Sequence, residues 1–429
     1  MLLLRKNADC YMIVKRIRRF VAFWLAFLRQ ITWRFCGRGG VEEGIEGDGW
    51  LYWRGKCRLM VKSAEGRARD DGKGLSLRVG TLREVGEILR GRGKKIIRKR
   101  EMRSFMVLFA LMVSLFWLLV PQVVWALCWL VGRLSHVHVA WRPFAWGSVL
   151  LLAAWWSAYA YGHWVSRFRW EVKEWTYNDR WVPEAFRGYR IVHISDWHLD
   201  GWLNEKKRLM QVVSDINALK PDLICFTGDL VSRDYTELEP LLPILKQLQA
   251  KDGVVSIMGN HDYDPYESHL PARERQQKVE RLQEMERDEL GWRLLLNEHL
   301  IVHRGADSMA VIGVENQSCG AHRIIRRGRL AEAMAGTEGL FSILMSHDPS
   351  HWRAEVVGQT SIPLTLSGHT HAMQMRLMGF TPSKWIYPEC DGRYDEGSQT
   401  LYVNIGLGGT LPMRIGARPE ITLLTLCGK

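Results

Sequence analysis

The chain has 429 residues, 47% of them hydrophobic, and a formal net charge of +13, so it exceeds one typical domain and can bury a sizeable core. The charge is uneven, because residues 1–100 hold 25 Lys and Arg against 10 Asp and Glu, while the remainder hold 34 against 36. The basicity therefore gives no indication of a nucleic-acid-binding surface beyond residue 100. The eight cysteines have no CxxC spacing, which fits reduced thiols in a cytosolic compartment and argues against a disulfide framework.

The first region, residues 1–100, is predicted to be a basic, poorly ordered extension. Residues 37–100 are rich in Gly and Arg and show little hydrophobic periodicity. Residues 20–35 have an alternative interpretation as a basic amphipathic helix on a membrane surface. A further alternative is that translation begins at Met102 or Met106, which would leave this region out of the native product.

Two uncharged stretches follow, at residues 104–131 and 143–166. Each exceeds the roughly 20 residues that a helix needs to cross the hydrocarbon core of a membrane. Tryptophans lie near the ends of the second stretch, as in an interfacial aromatic belt. We therefore predict a two-helix transmembrane hairpin over residues 101–170. The alternative is a pair of helices buried in a soluble domain.

Basic residues flank both ends of this hairpin. Residues 90–103 are densely basic, and Arg167, Arg169 and Lys173 follow the second stretch. Because positive residues stay on the cytoplasmic side of a membrane, we expect a multi-pass protein of the inner or plasma membrane. Its C-terminal domain, residues 175–429, would then lie in the cytoplasm.

The C-terminal domain alternates short apolar runs with amphipathic helices, which predicts a layered α/β structure. Residues 204–220 place Leu209, Val212 and Ile216 on one helical face, and Pro221 ends the helix. Five apolar runs are bounded like buried strands: residues 190–194, 222–226, 253–258, 341–345 and 363–366.

Each of these five runs is followed by side chains that can bind metal ions. Because ligands sit beyond the carboxyl ends of the strands in open α/β sheets, we expect the five groups to converge on one site. The groups are Asp196-Trp197-His198, Gly228-Asp229, Gly259-Asn260-His261-Asp262, Ser346-His347-Asp348 and Gly368-His369-Thr370-His371.

The chemistry of these side chains predicts a centre with two metal ions. Carboxylate, imidazole and amide donors without a thiolate suit Mn, Fe, Zn or Mg. The donors are too many for one ion, so we expect two divalent ions that share a bridging carboxylate. Such ions lower the pKa of a bound water, and a Ser or Cys nucleophile is then not required. The predicted ligands are Asp196, His198, Asp229, Asn260, His347, His369 and His371.

The order of the blocks D-x-H, G-D, G-N-H-D, H and G-H-x-H across residues 196–371 resembles the calcineurin-like metallophosphoesterase family. The resemblance implies a four-layer αββα sandwich and a metal-dependent phosphoric ester hydrolase. It also implies that Asp229 bridges the two ions. One ion would be held by Asp196, His198, Asp229 and His371, and the other by Asp229, Asn260, His347 and His369.

The same resemblance gives roles to neighbouring residues. His261 would contact the phosphate and protonate the leaving oxygen, since histidine titrates near the working pH, and Asp262 would orient His261. Asp200, close behind the first motif, and Arg414 are further candidates for substrate binding. The guanidinium of Arg414 could bind a phosphate through two hydrogen bonds. A surface or strand-edge position is the alternative for Arg414.

The hairpin and the segments SHDPSHW, GHTHAMQ, YVNIGLG and ARPEI resemble a membrane-associated branch that includes UDP-2,3-diacylglucosamine pyrophosphatases and related phosphodiesterases. The resemblance implies hydrolysis of a phosphodiester or pyrophosphate bond in a phospholipid or a lipid-linked nucleotide such as UDP-2,3-diacylglucosamine. Many members follow the last histidine with Gly-Gly-Gln, whereas Ala372 and Met373 precede Gln374 here. We expect Met373 to narrow the mouth of the pocket and to contact the substrate.

Two other classes of function stay open. A metal-dependent nuclease, or another nucleotide phosphodiesterase, would use the same site with the basic N-terminal region binding phosphates. The near-neutral charge of the C-terminal domain disfavours nucleic acid as a partner. A metal-bound sensor without turnover is the third class, and the sequence indicates no protein partner.

Overall fold

The computed structural model describes residues 108–263, 270–320 and 325–428. The predicted extension of residues 1–100 lies outside the described residues. The chain divides into compact units at Trp155, so the described residues form one unit over 108–155 and another over 156–428.

The first unit contains helix α1, Leu108–Leu134, and the first turns of helix α2, Arg142–Trp164. Gln122 of α1 donates a side-chain hydrogen bond to Ser148 of α2 at 2.9 Å. Of the helices in the described residues, α1 is the one that is long and apolar enough to cross a membrane. Two helices therefore lie where the sequence predicts them, but a transmembrane hairpin is not confirmed. The Gly, Ser, Tyr, Trp and His residues of α2 make it less apolar than the absence of charge from residues 143–166 suggests.

The second unit contains two six-stranded β-sheets. Its strands are β1 Glu171–Asn178, β2 Arg190–Ile194, β3 Leu223–Phe226, β4 Val254–Ser256, β5 Arg293–Leu294, β6 Glu298–Arg304, β7 Asp307–Gly313, β8 Phe341–Met345, β9 Leu364–Ser367, β10 Gly392–Glu396, β11 Gln399–Val403 and β12 Glu420–Cys427. The first sheet has the order β1-β12-β2-β3-β4-β5 and the second the order β10-β11-β9-β8-β7-β6. The five predicted strands are present as β2, β3, β4, β8 and β9.

Helices lie on the outer faces of both sheets. The helices are α3 Lys206–Ala218, α4 Leu242–Leu245, α5 Ala272–Glu284 and α6 Leu330–Met334, with π-helical turns at Met285–Glu289 and Trp352–Val356. Single 3-10 turns lie at Ser166–Phe168, Glu184–Phe186, Leu199–Trp202, Tyr235–Glu237, His261–Tyr263, His371–Gln374 and Pro382–Trp385. The predicted helix over residues 204–220 is α3, and its apolar face is buried as its periodicity requires.

The layers follow from the alternation of side chains along each strand, where successive residues point to opposite faces of the sheet. Ile191 of β2 packs into an inner core between the sheets, which also holds Val311 of β7. Val192 packs into an outer core with the residues of α3. On the second sheet, Ile312 packs into another outer core with Leu330 of α6. The result is a four-layer αββα sandwich, which confirms the predicted fold class.

The parallel strands bring the five predicted metal-binding groups to one end of the sandwich. Strands β2, β3 and β4 are neighbours and parallel in the first sheet. Strands β8 and β9 are neighbours and parallel in the second. The loops that leave their carboxyl ends therefore meet across the inner core.

Candidate metal centre

The loops that carry the predicted ligands have an unusual backbone conformation. Five of the seven predicted ligands have φ angles between 46° and 75°, a left-handed conformation that costs an L-residue of order 1–3 kcal/mol. Such strain persists where the surrounding structure enforces it, and it is typical of functional sites. The five residues are Asp196, His198, Asp229, His369 and His371.

Two glycines allow the loops after β3 and β4 to touch. Gly228 has a φ of +94°, and a Cβ atom there would lie 2.8 Å from the Cα of Gly259. A Cβ on Gly259 would in turn collide with the Asp229 carboxylate and lie 2.7 Å from Cε1 of His347. The glycines of the G-D and G-N-H-D blocks are therefore required for the ligands to converge.

One group of ligand atoms comes from Asp196, His198, Asp229 and His371, which are all buried and whose ligand atoms lie within 4.8 Å of one another. The two imidazoles face each other, with 3.2 Å between their Nε2 atoms. Asp196 Oδ1 lies 3.5 Å from His371 Nε2, and Asp229 Oδ2 lies 3.6 Å from His198 Nε2. This is the set that the family resemblance implies for one ion.

A second group shares Asp229 with the first and adds His347 and His369 within the same distance limit. Asp229 Oδ2 lies 3.2 Å from His347 Nε2. The same nitrogen lies 3.2 Å from Asn260 Oδ1 and 3.2 Å from His369 Nδ1. All seven predicted ligands thus face one of two adjoining positions, and one oxygen of Asp229 faces both.

The protonation states of His198, His371 and Asp229 fit a bound divalent ion. Burial lowers the pKa of His198 to about 3, and burial, the neighbouring imidazole of His198 and the charge of Arg414 keep the pKa of His371 well below its ordinary value. Both imidazoles are therefore neutral, as metal ligands must be. Burial opposes the charge of Asp229, but the imidazoles of His347 and His261 hold its pKa well below the ordinary value.

One buried oxygen atom of this group accepts no hydrogen bond from the described residues. Among the described residues, no group donates a hydrogen bond to the buried Asp196 Oδ1. A buried carboxylate oxygen without a donor is costly unless a cation compensates it. The cluster of Asp and His side chains can therefore bind metal.

The second nitrogen of three ligand imidazoles is held by residues that the motifs do not include. His347 Nδ1 donates to the carbonyl oxygen of Thr227 at 2.7 Å. His198 Nδ1 lies 3.3 Å from Ser232 Oγ, and His369 Nε2 lies 2.8 Å from the hydroxyl of Tyr387. Such partners fix the orientation of a metal-binding histidine. Sequence reasoning missed them, because neither their spacing nor their residue type is distinctive.

His261 lies beside the first group of ligands. Its ring meets that of His198 edge to face with 4.8 Å between the centroids. Its Nδ1–H donates to the carbonyl oxygen of Ser232 at 2.9 Å, and its backbone N–H donates to Asp229 Oδ1 at 2.8 Å. The side chain is thus held next to the ligands without being one of them.

The predicted role of Asp262 is wrong in one respect, since Asp262 does not orient His261. Its Oδ2 accepts the backbone N–H groups of Asp229 and Gly259, both at 2.8 Å. Its Oδ1 accepts the N–H of Val231 at 3.1 Å. Asp262 therefore joins the loops after β3 and β4, and the Ser232 carbonyl orients His261 instead.

Arg414 is also placed differently from the prediction. Its guanidinium is buried and donates to the carbonyl oxygens of Ile405 at 2.8 Å, Gly406 at 3.1 Å and Ala417 at 3.2 Å. Gly406 in turn packs so closely on Asp196 that a Cβ there would lie 2.6 Å from the aspartate Cβ. Arg414 thus holds a glycine-rich loop against the predicted ligand Asp196, and its guanidinium contacts backbone carbonyls where the sequence predicts a contact with substrate.

The other two candidates for substrate binding lie at the surface. Asp200 is exposed, and its Oδ1 accepts a hydrogen bond from Ser232 Oγ at 2.6 Å. Met373 is 42% exposed and has a φ of +48°. Near the His347 loop, His351 is buried with its Nδ1 2.8 Å from Ser346 Oγ.

Comparison with known proteins places this site in a family. Residues 189–373 match the family described as Calcineurin-like phosphoesterase. The chain is 31% identical over 289 residues to the uncharacterized metallophosphoesterase YkuE of Bacillus subtilis (strain 168), an alignment that covers 63% of this chain and 90% of that protein. The chain belongs to the calcineurin-like phosphoesterase family. It is therefore a metal-dependent hydrolase, as the ligand blocks predict.

Two other relatives of this calcineurin-like phosphoesterase have informative names. It is 32% identical over 256 residues to the zebrafish (Danio rerio) "Transmembrane protein with metallophosphoesterase domain", with 57% of this chain and 54% of that protein covered. It is 28% identical over 293 residues to the "UDP-2,3-diacylglucosamine pyrophosphatase LpxG" of Chlamydia trachomatis serovar D, with 57% and 86% covered. The alignment thus spans about half of the zebrafish relative. That relative and helix α1 suggest that the chain associates with a membrane.

Proposed function

We propose that this chain is a membrane-anchored phosphoesterase that uses two divalent metal ions to hydrolyse a phosphodiester or pyrophosphate bond. One observation carries the proposal: the same oxygen of Asp229 lies 3.6 Å from His198 Nε2 and 3.2 Å from His347 Nε2. A carboxylate oxygen placed between two sets of donors is the arrangement that a shared pair of ions requires.

The ligand sets follow from the two groups of atoms. Asp196, His198, Asp229 and His371 would hold one ion. Asp229, Asn260, His347 and His369 would hold the other. The donors are oxygen and nitrogen atoms, which favour Mn, Fe, Zn or Mg. When bound, such ions supply a water of lowered pKa and neutralise charge on the phosphoryl oxygens.

His261 is the residue that we assign to proton transfer. A carbonyl oxygen only accepts, so the contact with Ser232 means that Nδ1 carries the proton of the neutral ring. Nε2 is then the nitrogen that donates to the leaving oxygen when the imidazole is protonated. The ring stands next to His198, so a phosphate bound at the ligands would be within its reach.

The substrate that we propose is a phospholipid or a lipid-linked nucleotide, such as UDP-2,3-diacylglucosamine. Support comes from the name of the Chlamydia trachomatis relative and from an apolar helix long enough to cross a bilayer. The basic residues on both sides of residues 104–166 favour a cytoplasmic catalytic domain.

The test uses the full-length chain in phospholipid nanodiscs loaded with manganese. UDP-2,3-diacylglucosamine and phosphodiester lipids are offered separately, and the products are identified by mass spectrometry. We expect hydrolysis of one of these lipids, a loss of at least about 10³-fold in Asp229→Asn, and full activity in the exposed control Asp288→Asn. Turnover by Asp229→Asn contradicts the mechanism. Cleavage of DNA or RNA with no cleavage of lipid favours the nuclease alternative.

A further inference from the structure

A short loop beside the metal centre presents apolar side chains to solvent. Three of its residues are largely exposed, at 72% for Leu377, 99% for Met378 and 78% for Trp385. Phe380 and Ile386 in the same loop are also exposed. A concentration of exposed apolar side chains this dense marks an interaction site more often than an ordinary surface. We refer to this segment as the 377–386 loop.

The exposure results from a defined local structure. Leu377 and Phe380 exchange two backbone hydrogen bonds of 2.9 Å across Met378 and Gly379, whose φ angles are +50° and +82°. Positive φ at both central residues is typical of a tight hairpin turn. The rings of Phe380 and Trp385 then contact each other, with 5.4 Å between centroids. The turn therefore holds Met378 at the tip, away from the rest of the unit.

The loop is fixed to the metal centre at its middle and just beyond its C-terminal end. Thr381 donates its hydroxyl to the carbonyl oxygen of Ala372, next to His371, at 2.6 Å. Tyr387, the residue after the loop, lies 2.8 Å from His369 Nε2. A molecule bound by the 377–386 loop is thus held within a few residues of two metal ligands.

The apolar surface continues towards the end of helix α2, within the same unit. Arg376, just before the loop, donates its N–H to the carbonyl oxygen of Ile415 at 2.7 Å. A Cβ on Gly162 of α2 would lie 3.1 Å from Cγ1 of Ile415, so α2 packs on this segment. The last turns of α2 expose Tyr161 and Trp164, and aromatic residues of this kind are enriched at membrane–water interfaces.

The charge of the loop fits binding to an anionic membrane better than binding to a protein surface that carries both acidic and basic side chains. Residues 377–386 include one cation, the exposed Lys384, and no acid. A cation beside exposed Trp and Leu side chains is the composition of segments that lie in the headgroup region of anionic bilayers. The described part of the chain also includes a helix able to cross a membrane.

We propose that the 377–386 loop docks on anionic phospholipid and inserts its apolar side chains at the bilayer interface, so that a lipid substrate reaches the metal ligands without leaving the membrane. Only the delivery of a lipid substrate to the metal ligands rests on the proposed function. The docking itself is a separate property, and it is tested separately.

The first experiment detects the contact itself, in the full-length chain in vesicles of phosphatidylcholine and phosphatidylglycerol. A benzophenone amino acid replaces Met378 in one protein and Met210 in a matched control, since Met210 is an exposed methionine on α3. We expect phospholipid adducts by mass spectrometry at position 378, with at least about tenfold fewer at position 210. Equal adducts at the two positions, or adducts at 378 with a second copy of the chain instead of lipid, overturn the proposal.

The second experiment measures its consequence. Met378→Asp is expected to reduce hydrolysis of vesicle lipid about tenfold, and to leave hydrolysis of a water-soluble chromogenic phosphodiester unchanged, while Met210→Asp changes neither. Lipid adducts at position 378 without any lipid hydrolysis by the parent chain support docking and contradict the proposed substrate. Lipid hydrolysis that is insensitive to Met378→Asp contradicts docking and leaves the proposed function intact.

Discussion

Asp229 Oδ2 lies 3.2 Å from His347 Nε2, although Asp229 follows a strand of the first sheet and His347 a strand of the second. The carbonyl oxygen of Thr227, two residues before Asp229, accepts the Nδ1–H of the same imidazole at 2.7 Å. Burial opposes a charge on His347, yet the Asp229 carboxylate raises its pKa to about 10. The loops that carry the predicted ligands therefore also form a hydrogen-bonded contact between the two sheets.

His261 and the metal ligands are expected to respond differently to substitution. His261→Ala removes a proton donor without removing a ligand, so we predict turnover about 10²–10⁴-fold lower with the metal content of the parent chain. The measurement is hydrolysis of a chromogenic phosphodiester together with metal analysis by mass spectrometry. A metal-free His261→Ala protein would show that His261 is a ligand.

For Asp262, in contrast to His261, we expect substitution to reduce stability and metal binding. Asp262→Asn retains one acceptor oxygen for the three backbone N–H groups that the carboxylate now accepts, and its NH₂ group would face at least one of them. We predict a free energy of unfolding about 1–3 kcal/mol lower and weaker metal binding, measured by thermal denaturation and metal titration.

The control for this substitution is Asp288→Asn, whose side chain is exposed and whose effect is expected to stay within about 0.5 kcal/mol. Parent-like metal affinity in Asp262→Asn with reduced turnover would restore the role that the family resemblance implies, in which Asp262 orients His261.

Tyr387 is expected to act through His369. Tyr387→Phe removes the hydroxyl that lies 2.8 Å from His369 Nε2 and leaves the ring in place. Loss of such a partner typically costs about 10–100-fold in metal affinity, so activity should fall at limiting metal and recover at saturating metal. Tyr161→Phe, far along the chain in α2, is the control. An unchanged metal affinity in Tyr387→Phe would refute the positioning role.

Met373 is predicted to destabilise the chain slightly. Its φ of +48° costs an L-residue about 1–2 kcal/mol, and glycine avoids that cost but gains about 0.4–1 kcal/mol of unfolded-state entropy. Met373→Gly should therefore raise the free energy of unfolding by about 0.5–1 kcal/mol. Met210→Gly in the middle of α3 should lower it by about 1 kcal/mol. The measurement is chemical denaturation of both variants. If Met373→Gly lowered the free energy of unfolding as much as Met210→Gly does, the backbone at Met373 would not be strained.

The sequence predicts which Asp and His side chains cluster, because each follows a buried strand and the parallel order of the strands brings their carboxyl ends together. The alternation of apolar runs with amphipathic helices predicts a layered α/β structure, and the family resemblance implies that the layers are four. The absence of charge from residues 143–166 predicts the helix α2. A segment without charge can still contain many polar side chains, and the second membrane span is not confirmed.

Contacts between distant segments are what the sequence leaves open. Arg414 carries the same guanidinium whether it faces a phosphate or four backbone carbonyls, and only its burial tells the two apart. Tyr387 and Ser232 reach their histidines through loops whose lengths have no fixed relation to the motifs. The cluster of Asp and His side chains that can bind metal could thus be predicted, whereas most of the residues that position it could not.

The most direct test of the account is the number and position of metal ions in crystals of the manganese-loaded chain, measured by anomalous X-ray diffraction. The account predicts two peaks, about 3.5–4 Å apart, on either side of Asp229 Oδ2. A single peak, or two peaks that do not share Asp229, would contradict it.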